Sequence, residues 1–168
     1  VSERLPKNPL VVRPIEKVGK YGGSVVGWGL NPESFGNNVW TSRLQRGVAI
    51  YPDWQTVAPE VFENYVLSDD HKSLTIYLRE GMKWSDGHPF TADDILFWWN
   101  DIILNKELTP SVPAAWIVDG EPMDVQKIDD YTVVFRFASP NPRIISVLTN
   151  QVPWAPKHYL KQFHVNYN

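Results

Sequence analysis

Leu78-Arg79-Glu80-Gly81-Met82-Lys83-Trp84-Ser85-Asp86-Gly87-His88-Pro89-Phe90-Thr91-Ala92-Asp93-Asp94-Ile95-Leu96-Phe97 joins a strand to a helix through tight turns, and each join has a chemical reason. Leu74-Thr75-Ile76-Tyr77-Leu78 is rich in β-branched, aliphatic and aromatic residues, which suits a strand. Ser85-Asp86-Gly87 is turn chemistry: Asp bonds the backbone ahead of it and Gly accepts a positive φ. Pro89 pushes His88 toward an extended conformation. Thr91 fits a helix N-cap, and Asp94 stands three residues on, where a capping-box acid belongs. Asp93 and Asp94 also suit the positive end of a helix dipole.

From there the apolar residues recur as Ile95, Trp98, Trp99, Ile102 and Ile103, one face of a helix predicted over about Ala92 to Asn105. Trp98, Trp99 and Ile102 are expected in the core. Asp86, Asp93 and Asp94 admit a second reading as a metal or acid–base cluster. Turn and cap duties explain each of them locally, so that reading is set aside.

Outward from this stretch, Val61 to Leu67 reads as a strand, joined through Ser68-Asp69-Asp70-His71-Lys72 to the next, a hairpin over about 61 to 79. Met123 to Ile128 and Tyr131 to Phe137 make a second hairpin about Asp129-Asp130. The two hairpins should share one sheet with the helix packed on it, an α+β fold. Leu108 to Pro122 reads as a loop with three prolines. Helices are expected over 143 to 149 and 156 to 163. Nearer the start, residues 1 to 20 read as an extended arm, Tyr21 to Trp28 as a first strand, Asn31 to Asn38 as a loop and Val39 to Gln45 as a short helix.

Composition narrows the function. A net charge of −3 with no basic block does not suggest nucleic-acid binding. There is no Cys, so disulfides, zinc-thiolate sites and Cys nucleophiles are excluded. The opening Val1-Ser2-Glu3-Arg4 does not have the pattern of a signal peptide, and the longest apolar run is interrupted by Asn100-Asp101. The four His, at 71, 88, 158 and 164, lack metal-site spacing and read as surface or turn residues. No metal and no cofactor is expected. The 8 Trp, 7 Tyr and 7 Phe suit either a core of large flat side chains or a surface on which ligands stack.

The 78 to 97 stretch closely resembles the signature of the family 5 extracellular solute-binding proteins. Tyr21-Gly22-Gly23-Ser24, Pro59 to Tyr65, Val125 to Phe135, Pro140-Asn141-Pro142 and Pro156 to Leu160 are also similar to segments of that family. The resemblance implies the N-terminal part of a two-lobed periplasmic-binding-protein fold of the oligopeptide-receptor type. Residues 21 to 45 and 147 to 168 would be parts of the main lobe, and 46 to 146 an extra, hairpin-rich subdomain of it. The second lobe would be absent from this chain.

By the same resemblance, the function is capture of an oligopeptide or oligosaccharide for a membrane ABC permease, without catalysis. The setting is extracytoplasmic, either periplasmic or as a cell-surface lipoprotein. The loop after the first strand would face the cleft, where Glu33, Phe35, Asn38 and Trp40 offer a charge, an amide and two aromatic faces to a ligand. Two other readings stand beside it. A carbohydrate-active hydrolase would require two carboxylates converging about 5–9.5 Å apart. An interaction module would present an exposed apolar face, and truncation alone can make a fragment self-associate.

Overall fold

In the computed structural model, residues 5–11, 17, 18, 20, 22, 24, 46–51 and 55–167 are described. The chain divides into two compact units, Val1–Pro9 with Arg46–Asn168, and Leu10–Gln45. The strand, loop and short helix expected over 21 to 45 lie almost wholly outside the described residues.

In the larger unit, strands β1 (Val48–Ile50) and β2 (Val57–Pro59) pair antiparallel ahead of the main sheet. That sheet holds β3 (Phe62–Leu67) and β4 (Ser73–Leu78). Two further pieces intervene in sequence: β5 (Ile117–Val118) and β6 (Glu121–Pro122), a separate small pair. β7 (Asp124–Asp129) and β8 (Thr132–Arg136) then complete a four-stranded antiparallel sheet of order β3-β4-β8-β7. The two expected hairpins therefore do share one sheet, joined by β4 on β8 from Ser73↔Arg136 to Tyr77↔Thr132.

Each hairpin turn is fixed by its own side chains. Ser68 Oγ donates to Asp70 Oδ1 (2.6 Å), and the same oxygen accepts from Lys72 N (3.0 Å). Asp129 Oδ1 accepts from Tyr131 N (2.8 Å). Alternation then places Leu74, Ile76, Leu78, Val133 and Phe135 in the core, as a sheet with one buried face requires. Gly47 lies under this core: a Cβ there would come within 2.3 Å of the Phe62 ring, so only glycine lets Phe62 bury completely.

Helix α1 (Ala92–Phe97) starts at Thr91, whose N–H donates to Asp94 Oδ2 at 3.0 Å. It continues directly into a π-helical turn, Trp98–Ile103, so the expected helix is present but widened in its second half. Leu104 N bonds Trp99 O, five residues back, at 2.9 Å. Side chains cover two carbonyls of this turn: Thr109 Oγ1 donates to Ile102 O (2.7 Å), and His164 Nε2 lies 2.8 Å from Asp101 O. Trp98 and Trp99 are buried, and Ile102 is half-buried against the same core. Trp98 meets Trp116 edge-on, with ring centroids 5.1 Å apart.

Three sequence expectations need correction. The segment over 108 to 122 is not all loop: a 3-10 turn (Ala114–Trp116) leads into the β5–β6 pair. Asp119 and Gly120, both at positive φ (53° and 83°), make its two-residue turn, the backbone that an Asp-Gly pair favours. The later helices are also shorter, α2 being Ile144–Leu148 and α3 Lys157–Leu160, with 3-10 turns over Lys161–Phe163 and Val165–Tyr167. Finally, His164 is not a surface residue; it is buried against the π-helical turn.

Candidate functional site

Residues 83 to 89 fold into a tight loop. Trp84 N bonds His88 O (2.8 Å) and Gly87 N bonds Trp84 O (2.9 Å), with Gly87 at a φ of 93° that side-chain-bearing residues avoid. Asp86 Oδ1 accepts from His88 N at 3.0 Å. The loop borders a concavity of about 300 Å³ lined by Lys83, Trp84, Ser85, Asp86 and Gly87.

Helix α3 closes on this loop from 70 residues downstream in sequence order. His158 Nε2 lies 2.6 Å from Asp86 Oδ2, and the His158 ring stacks on His88 with centroids 3.9 Å apart and planes 1° from parallel. The Asp86 carboxyl is held below the usual carboxylate range, first by His158 and then by the His88 backbone N–H. Beneath the loop, Trp84, Phe90, Trp154 and Phe62 form a chain of edge-on aromatic contacts with centroids 5.5–5.9 Å apart. Trp84 and Trp154 are thus engaged with other rings as packing.

The acids of the sequence stretch have structural work. Asp94 is buried; its Oδ2 accepts from Thr91 N and from Trp84 Nε1 (3.1 Å), and its Oδ1 accepts from Lys157 N (2.9 Å). Its backbone carbonyl also accepts from Ala155 N at 3.2 Å. Asp93 and Asp130 lie 3.2 and 2.6 Å from Lys127 Nζ. Lys127 is pushed above the usual lysine range, chiefly by Asp130 and less by Asp93, while desolvation opposes them. Among the described residues no group of three or more His, Cys, Asp or Glu is placed to hold a metal ion.

A second concavity, about 390 Å³, opens beside Glu63, Asn64, Tyr77, Glu80 and Tyr131. The N-terminal arm runs past these residues. Lys7 N donates to Glu80 O (2.9 Å), Lys7 Nζ pairs with the Glu80 carboxylate, and Asn8 Nδ2 donates to Glu63 Oε1 (2.7 Å). The buried Arg79 ties both sides together, donating from Nη1 to Asn8 O (2.6 Å) and from Nε to Glu60 O (3.0 Å).

The ligand-facing candidates Glu33, Phe35, Asn38 and Trp40 lie outside the described residues. Sequence reasoning missed the His158–Asp86 contact and the reach of Asp94 to Lys157. Their partners lie 72 and 63 residues away, and no local spacing announces them.

Comparison with known proteins agrees with this architecture. A family model, bacterial extracellular solute-binding proteins, family 5 (middle), matches residues 56–167. The chain is 31% identical over 190 residues to the periplasmic alpha-galactoside-binding protein of Rhizobium meliloti, covering 99% of this chain and 27% of that relative. Among solved structures, an oligopeptide-binding protein OppA superposes with a TM-score of 0.88 at 34% identity, covering 99% of this chain and 26% of that one. The periplasmic binding protein MelB from Agrobacterium fabrum, in complex with stachyose, superposes with a TM-score of 0.65 at 28% identity, over 87% of this chain and 22% of that one. The chain thus spans about a quarter of the length of the relatives it matches.

Proposed function

Because the chain belongs to the bacterial extracellular solute-binding proteins of family 5, we propose that it is part of the substrate-binding component of an ABC importer. It captures oligosaccharides or oligopeptides outside the cytoplasmic membrane and hands them to a membrane permease without transforming them. The single observation that carries this reading is the family match over residues 56–167, which contains the strand–loop–helix stretch and both hairpins of the sheet. The two ligand classes come from relatives matched over nearly the whole chain, one named for alpha-galactosides and one for oligopeptides.

In this reading residues 21 to 45 and 147 to 168 belong to the main lobe and 46 to 146 form its extra subdomain. Glu33, Phe35, Asn38 and Trp40 supply ligand contacts from the cleft side of the main lobe. Specificity comes from the cleft, and closure of two lobes about the ligand signals occupancy to the permease. The protein works in the periplasm or as a cell-surface lipoprotein. Among the described residues no helix is long and apolar enough to cross a membrane.

Calorimetric titration of the complete protein with stachyose-type alpha-galactosides and with short peptides tests the reading. Saturable binding of one class, with the ligand recovered chemically intact, is expected. Turnover of a ligand without stable binding would overturn it.

A further inference from the structure

We propose that the stacked imidazoles of His88 and His158, with the Asp86 carboxylate, form an acid-sensitive latch between the Trp84–His88 loop and α3. The geometry assigns the protons of the closed state. His158 Nε2 faces a carboxylate oxygen at 2.6 Å, so it carries a hydrogen and donates. His88 Nδ1 lies 3.0 Å from Pro89 O, which only accepts, so it too carries a hydrogen. The remaining ring nitrogens differ. His158 Nδ1 is buried with no hydrogen-bond partner, whereas the His88 side belongs to an exposed residue.

One added proton suits this arrangement. A charged His88 ring stacks on a neutral one at 3.9 Å, with the Asp86 carboxylate alongside to offset the charge. A second proton is opposed twice. It places two like charges 3.9 Å apart against one carboxylate, and it puts an N–H on the buried His158 Nδ1 where no acceptor stands. Separation of α3 from the loop relieves both.

The charged and titratable groups around the latch do not cancel this effect. The loop supplies Asp86 and Lys83, the second of which adds positive charge. On α3, His158 is flanked by the cation Lys157 and by Tyr159. From α1 the nearest acid is Asp94, and its oxygens are taken by Thr91 N, Trp84 Nε1 and Lys157 N. The aromatic neighbour, Trp84, is 6.3 Å from His158 between ring centroids and carries no charge. Asp86 is the one acid in contact with the imidazole pair among the described residues, and its carboxyl, held below its ordinary range, stays charged as the rings gain protons.

The test is hydrogen–deuterium exchange on the complete protein at about pH 7 and about pH 5, corrected for the intrinsic pH dependence of exchange. In the wild type, opening of segments 84–88 and 157–160 is expected to rise about fivefold at the lower pH, the size of near-contact charge repulsion in a watery setting. His88→Gln keeps the Asp86–His158 contact and removes the neighbouring charge that repels a protonated His158, leaving only the unpartnered N–H on His158 Nδ1, so its rise should fall clearly below that of the wild type. His88 is exposed, so this variant is expected to fold even if His158→Gln does not. An undiminished rise in His88→Gln, or no rise in the wild type, would overturn the latch.

Discussion

Asp94 Oδ1 accepts the backbone N–H of Lys157 at 2.9 Å, so one buried carboxylate caps α1 and fastens the start of α3 to it. The other oxygen closes the cap on Thr91 N and holds the Trp84 indole N–H, so three segments of chain meet at one side chain. Asp94→Ala removes three acceptor bonds at a buried position and leaves donors unpaired. It should destabilise the protein by about 3 kcal/mol, read by urea denaturation. Asp94→Asn keeps one acceptor oxygen and should cost less. Equal stability of Asp94→Ala and wild type would remove Asp94 from its central place.

Gly47→Ala should cost about 1–3 kcal/mol, because the new methyl would meet the Phe62 ring inside a close-packed core. Phe62→Leu in the same chain opens room for the methyl, so the double variant should lose less than the sum of the single losses. Strict additivity by thermal unfolding would show that the two positions do not meet.

Thr109→Val deletes the hydroxyl that caps Ile102 O at the π-helical turn and should cost about 1 kcal/mol. Exchange at the Leu104 amide, bonded to Trp99 O, should speed up in parallel. A stable variant with unchanged exchange there would mean the turn holds without this cap.

Two pH limbs follow from the ion pairs. The Asp86 carboxyl has a folded pKa below its ordinary value of 3.8, so its contribution is fully present above that value and is lost as pH falls through the lowered one. Lys127 is raised above 10.5, so its contribution is present below that value and is lost as pH rises through the higher one. Asp86→Asn should therefore flatten the stability profile below about pH 4, and Lys127→Gln the profile above about pH 10. A profile unchanged by either substitution would show that its ion pair contributes nothing to folding.

The parts of the fold that were legible in the sequence are those whose causes are local. Ser85-Asp86-Gly87, Thr91 with Asp94, and the alternation of Val133 and Phe135 each act within a few residues, and each element appears where its chemistry placed it. Asp119-Gly120 is equally local, but the prolines on both sides carry loop chemistry that masks its hairpin turn. The π-helical turn and the burial of His164 depend on Asn105 and Asp101 meeting a residue about 60 positions later, which no periodicity reports. The histidine stack on Asp86 has the same non-local origin. The candidate ligand residues rest on the family resemblance and on side-chain chemistry alone.

The most direct test of the central claim compares one ligand in two proteins. The alpha-galactoside or peptide proposed as the ligand is titrated into the complete protein and into residues 1 to 168 alone. A cleft receptor gains affinity by enclosing its ligand between two surfaces, while the entropy of binding is met in full even when one surface is missing. The account predicts that the 168-residue chain binds at least about a hundredfold more weakly than the complete protein, a loss of roughly 2.7 kcal/mol. Equal affinity in the two would place the whole site within residues 1 to 168 and contradict the two-lobed capture of ligand.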